Sequence, residues 1–126
     1  MPQTRLPTAA ELAILQILWE KGPLGVRAVL GHLTRERDVG YTTVLKQIQI
    51  MTGKGLVVKD DTVRPQIYRP ASPRHQTQRG LVRRLADGAF DGSAGDLALY
   101  ALKTKSITAE DRARIRTLLD EMEEGE

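Results

Sequence analysis

The chain has 126 residues and no cysteine. That absence removes disulfides, thiolate metal sites and cysteine nucleophiles, and it fits a reducing cytoplasm. Histidine is almost as scarce. His32 and His75 are far apart in sequence, lie in basic, polar segments, and have no carboxylate at metal-ligand spacing. Neither a Gly-rich phosphate loop nor a nucleophile elbow occurs, so no catalytic residue, metal ligand or cofactor is expected, and an enzyme is the poorest reading. Met-Pro-Gln-Thr-Arg at the start lacks the apolar run of a signal peptide, and no stretch reaches membrane-spanning length. The expectation is a soluble, cytoplasmic protein without membrane association. Internal repeats and low-complexity segments are also missing. The length allows one domain, or a small domain with a helical appendage.

What is present is unevenly charged. Residues 1–84 carry a net +8 and residues 85–126 a net −5, within a total of +3. A basic front half suggests that this part meets a polyanion. The acidic end, Asp120 to Glu126, reads as a solvated helix terminus.

The stretch from Gly40 to Gly53 reads as a helix with two unlike faces. Thr42 is expected as a hydroxyl N-cap and Gly53 as the stop. Val44, Leu45, Ile48 and Met51 share a side, the spacing of a core-facing stripe. Thr43, Lys46, Gln47 and Ile50 make the other, which is rich in amide, hydroxyl and cationic groups. A helix that enters a DNA major groove needs donors and acceptors for base edges and a cation for phosphate. An ordinary surface helix is the alternative for this stretch taken alone.

The flanks add weight. Thr8-Ala9-Ala10-Glu11 is a capping box, opening a helix with Leu12, Leu15, Ile17, Leu18 and Trp19 that closes at Lys21-Gly22-Pro23. Val26, Val29, Leu30 and Leu33 form the apolar stripe of a second helix. A polar connection from Thr34 to Gly40 leads into the two-faced helix, matching a helix-turn-helix pattern. The period then changes to two. Leu56–Lys59 reads as a strand, Asp60–Pro65 as a turn, and Gln66–Arg69 as the returning strand. Three helices followed by a hairpin is the order of a winged helix, with Arg64 near the tip of the wing, in reach of a phosphate or the minor groove.

From Pro70 the character changes. Ser72-Pro73 is expected to cap a basic helix with Leu81, Val82 and Leu85 on its apolar side. Asp91-Gly92 breaks it, and Ser93 caps a helix carrying Leu97, Leu99, Tyr100 and Leu102. Thr108 opens a last helix with Ile115, Leu118, Leu119 and Met122. Three such helices are too thin to enclose a core, so residues 72–126 are expected to form a helical dimerisation region through Leu81, Leu85, Leu97, Tyr100, Leu102, Ile115, Leu118 and Leu119. Residues 1–71 are expected to be the winged-helix domain. The fold class is mainly α with a small β-hairpin.

Several motifs together resemble the penicillinase and methicillin-resistance repressors (BlaI/MecI). They are Pro7-Thr8-Ala9-Ala10-Glu11-Leu12 with Ile17-Leu18-Trp19, Gly40-Tyr41-Thr42-Thr43-Val44, Lys54-Gly55-Leu56-Val57, Leu81-Val82-Arg83-Arg84-Leu85, and Phe90-Asp91-Gly92-Ser93. The resemblance runs from about Leu6 to Leu119. It implies a homodimeric winged-helix repressor on a palindromic double-stranded DNA operator. Thr42, Thr43, Lys46 and Gln47 would face DNA, with Arg64 on the wing. Three departures narrow what carries over. Ile50 stands where many relatives have Arg. Some relatives are cut by a membrane sensor protease at an Asn-Phe bond in the fifth helix, where this chain reads Ala98-Leu99-Tyr100-Ala101. Copper-responsive relatives carry a C-terminal cysteine cluster that this chain lacks. The inducing signal stays open. A winged-helix module that binds protein rather than DNA is the alternative, and the basic front half argues against it.

Overall fold

A computed structural model of the chain describes residues 6–33 and 39–125. The sequence readings for the first five residues and for the connection from Thr34 to Asp38 lie outside the described residues. The elements run α1 (Ala9–Lys21), α2 (Val26–Leu33), α3 (Tyr41–Lys54), β1 (Val57–Asp60), β2 (Ile67–Pro70), α4 (Arg74–Ala89), α5 (Ala94–Thr104) and α6 (Ala109–Glu124). This is the expected winged helix-turn-helix followed by helices.

The capping box forms as expected. The Thr8 hydroxyl accepts from the Glu11 N–H at 3.2 Å, and Glu11 Oε1 accepts from the Thr8 N–H at 2.9 Å. Gly22, at φ 90°, ends α1. Ile14, Leu15 and Leu18 of α1 meet Val29 and Leu33 of α2, Val44, Ile48 and Met51 of α3, and Val57 and Tyr68 of the hairpin in one buried cluster. Ile14 is 2% exposed and was not in the expected stripe, whereas Leu12, Ile17 and Trp19 are half-buried. The reason is that α1 packs against α2 and α3 as well as β2, so its apolar residues spread over several sides.

Two expectations for α3 are corrected. Thr42 does not cap it. Gly40 holds the N-cap position in extended conformation without a side-chain bond, and Thr42 is a first-turn residue with an exposed side chain. Gly53 does not stop it either. The helix continues to Lys54, and Gly55 follows in the left-handed region at φ 81°. The Gly55 N–H bonds the Thr52 carbonyl (3.1 Å) and the Leu56 N–H bonds the Met51 carbonyl (2.9 Å), the paired bonds of a Schellman ending. Leu56 is therefore committed to the helix end, and β1 starts one residue later than expected.

The strands pair antiparallel, Val57 opposite Pro70 and Asp60 opposite Ile67. Tyr68 also exchanges both backbone bonds with Leu24 (2.8 and 3.1 Å), which adds a third, single-residue rung that the sequence did not announce. Trp19 Nε1 donates to the Ser72 carbonyl at 3.0 Å, and the Arg74 guanidinium lies 5.8 Å from the Trp19 ring centre. At the start of α4, Pro73 presents the accepting carbonyl to Gln76 and Thr77.

The chain divides into two compact units, Met1–Val82 and Arg83–Glu126. The first contains the winged helix and the beginning of α4. In the second, α4 ends before Asp91 (φ 51°) and Gly92 (φ 81°), as expected of the Asp-Gly break. Ser93 caps α5 and Thr108 caps α6 through hydroxyls that accept from the Asp96 and Asp111 N–H groups.

Candidate nucleic-acid interface

Helix α3 supplies the surface. Val44, Ile48 and Met51 are buried with Leu45 at their edge, so the opposite side of the helix is fixed outward. That side carries Thr42, Lys46, Gln49 and Ile50, all exposed, Ile50 at 45%. Thr42, Lys46 and Gln49 make no side-chain hydrogen bond or ion pair to another described residue. Thr43 is exposed on the flank. Gln47 is half-buried, and its Nε2 donates to Glu11 Oε2 at 3.3 Å.

The sequence reading thus chose Gln47 and omitted Gln49. The signal was available. At about 100° per residue, Gln47 lies about 60° from Val44, whereas Gln49 lies about 140° away and points outward.

Glu11 is the second feature. It is 1% exposed, the one buried charged side chain among the described residues. Its two oxygens each lie 2.8 Å from Lys54 Nζ, at the end of α3. Burial pushes the Glu11 carboxyl up, but hydrogen bonds from Lys54 and Thr8 and the Lys54 charge outweigh it and hold the pKa below the ordinary carboxylate value. Sequence reasoning assigned Glu11 only to the capping box.

The third feature is a cleft of about 670 Å³ between α2, the start of α3 and the hairpin. Arg27, Tyr41, Leu45, Arg64 and Tyr68 line it, with no acidic residue. The Arg27 guanidinium sits 4.7 Å from the Tyr41 ring centre, a cation–π contact that holds this side chain beside the N-terminus of α3. Arg64, on the hairpin loop, is exposed and donates to the Asp61 carbonyl at 3.4 Å. At the same tip the Thr62 hydroxyl and N–H both donate to the Asp60 carboxylate, which lowers its pKa. Arg27 was missed because the sequence reading attended only to the apolar stripe of α2.

The second unit has a different surface. Ala86 is its only buried hydrophobic residue among those described. Leu85, Tyr100, Leu102, Leu118 and Leu119 are exposed, and Leu97 and Ile115 are half-buried; Leu81, in the first unit, is also half-buried. Leu99 and Met122 are more than half exposed and add to the expected set, as does Val82 at the end of the first unit. Tyr100 packs on Phe90 with ring centres 5.8 Å apart. Among the described residues no group of three or more His, Cys, Asp or Glu could hold a metal, and no helix is long and apolar enough to cross a membrane.

Comparison with known proteins shows the family. Residues 7–121 match the family model described as penicillinase repressor. The chain is 30% identical over 116 residues to the transcriptional regulator BlaI from each of two strains of Mycobacterium tuberculosis, covering 91% of this chain and 83% of each relative.

Proposed function

The chain belongs to the penicillinase repressor family and is a transcriptional repressor rather than an enzyme, and we propose that it acts as a homodimer on a palindromic double-stranded DNA operator. The observation that carries this reading is the outward face of α3, where Thr42, Lys46 and Gln49 are exposed and make no side-chain hydrogen bond or ion pair to another described residue. Thr42, Thr43 and Gln49 supply donors and acceptors for base edges, and Ile50 meets a thymine methyl group. Lys46 neutralises phosphate. Arg27 from α2 and Arg64 from the hairpin, which line the same acid-free cleft, hold the DNA backbone beside the start of α3. Gln47 contributes through its bond to Glu11 as well as through any base it reaches.

Support for the dimer comes from the second unit, which leaves most of its leucines exposed. A second copy of the chain covers them and presents two recognition helices to two half-sites. The protein works in the cytoplasm, where the duplex is. Release from DNA does not use an Asn-Phe cut in α5, since Ala98-Leu99-Tyr100-Ala101 stands there.

Fluorescence anisotropy of the purified protein tests the reading. The probes are DNA from just upstream of its own gene and random DNA of equal length, across a salt series. Tighter saturable binding to the upstream DNA at one dimer per site supports it, with affinity falling steeply as salt rises because several phosphate contacts release counterions. No binding at low salt overturns it in favour of a protein-binding winged helix.

A further inference from the structure

The Glu11 carboxylate joins the N-terminus of α1 to two positions of α3 that are seven residues apart, Gln47 and Lys54. Glu11 itself cannot wander. It is 1% exposed, and its Oε1 is fixed by the Thr8 N–H while its own N–H is fixed by the Thr8 hydroxyl. We propose that Glu11 is a positioning residue for base recognition, setting the roll of α3 about its axis without touching DNA. This rests on the reading of α3 as the recognition helix.

The remaining contacts of α3 do not fix roll as tightly. Val44, Ile48 and Met51 sit in a shared apolar cluster, whose contacts are non-directional and fix which face of the helix is buried rather than its exact angle. Charge-assisted hydrogen bonds have a narrow range of length and angle. Lys54 and Gln47 project from one edge of α3, so holding both to one anchored carboxylate resists rotation in either sense. The magnitude matters. With side chains ending about 5–6 Å from the helix axis, a roll of about 10° moves them by about 1 Å, enough to spoil a base-edge hydrogen bond. Contacts to phosphate through the long Lys46 and Arg side chains absorb the same displacement. Loss of Glu11 is therefore expected to lower discrimination between sequences more than it lowers affinity for DNA in general.

The test begins with wild-type protein selecting duplexes from a random-sequence library. Anisotropy then gives Kd for a selected site and a scrambled one, for wild type, Glu11→Gln and Lys54→Met. Thermal melting and stoichiometric titration of active protein run alongside. Glu11→Gln keeps an acceptor oxygen for the Thr8 N–H and removes the charge that holds Lys54. Lys54→Met leaves the cap intact and serves if the first variant does not fold. The expected result is a fall of roughly tenfold in the ratio of the two affinities, the worth of one good base contact. The affinity for scrambled DNA should stay within about twofold. A ratio unchanged in folded variants overturns the proposal, as does a fall that merely tracks the loss of active protein. If wild type enriches no sequence, the DNA reading itself fails, and that is known before any variant is measured.

Discussion

Lys46 and Gln49 are neighbours on the outer side of α3, yet their loss should read differently. Lys46→Ala is expected to weaken binding to all duplexes alike and to reduce the salt slope by about 1. Gln49→Ala should cost about 1–3 kcal/mol on the operator and little on random DNA; equal losses on both DNAs would remove Gln49 from base recognition. Glu11 makes a prediction in pH. Its pKa is lowered in the folded protein, so its stabilising contribution is present above the unfolded value of about 4.5 and is lost as pH falls through the lower folded value. Urea unfolding of wild type and Glu11→Gln should thus show a gap at pH 7 that closes below about pH 4.5. The capping box was legible in the sequence because its partners are three residues apart. The ion pair was not, because Lys54 lies 43 residues away and only the packing of α1 against α3 brings it near.

Among the elements, the end of α3 separates two glycines. Gly53 lies inside the helix with open space where a Cβ would go, so Gly53→Ala should stabilise by about 0.5–1 kcal/mol. Gly55 occupies the left-handed region at φ 81°, so Gly55→Ala should destabilise by about 1–2 kcal/mol. Chemical denaturation of both variants decides whether the helix ends where the structure puts it. The sequence showed that a helix ends near two glycines but not which one ends it, since that depends on the backbone bonds of Leu56 to Met51. The same uncertainty displaced the first strand by one residue. The rung between Leu24 and Tyr68 joins segments too far apart for any local pattern to mark.

For the molecule as a whole, the division of charge and the division of burial coincide roughly in the chain. The winged-helix unit has its own buried cluster, while the second unit buries only Ala86 among its described hydrophobic residues. Replacing Leu99 and Leu118 together by Glu is expected to convert a dimer into the 14.0 kDa chain in sedimentation. Operator affinity should fall about a hundredfold or more as the second half-site loses its tether. A wild-type protein that sediments as one chain at micromolar concentration would contradict the dimer. The sequence made the thinness of the C-terminal helices plain from their narrow stripes. It placed the change of domain at 71/72, whereas the first compact unit extends to Val82. The bond from Trp19 to the Ser72 carbonyl and the contact of Leu6 with Gly80 draw the start of α4 into that unit, and neither is visible in local composition.

The same indole gives the molecule a built-in optical probe. Trp19 is the only tryptophan, and its ring is held between the Ser72 carbonyl and the Arg74 guanidinium, both within the first unit. Its emission reports the docking of α4 on α1 and is silent about α5 and α6. Far-ultraviolet circular dichroism weighs all six helices of the described residues. Followed together during dilution or mild denaturation, the two signals part company whenever the second unit loosens while the first stays folded.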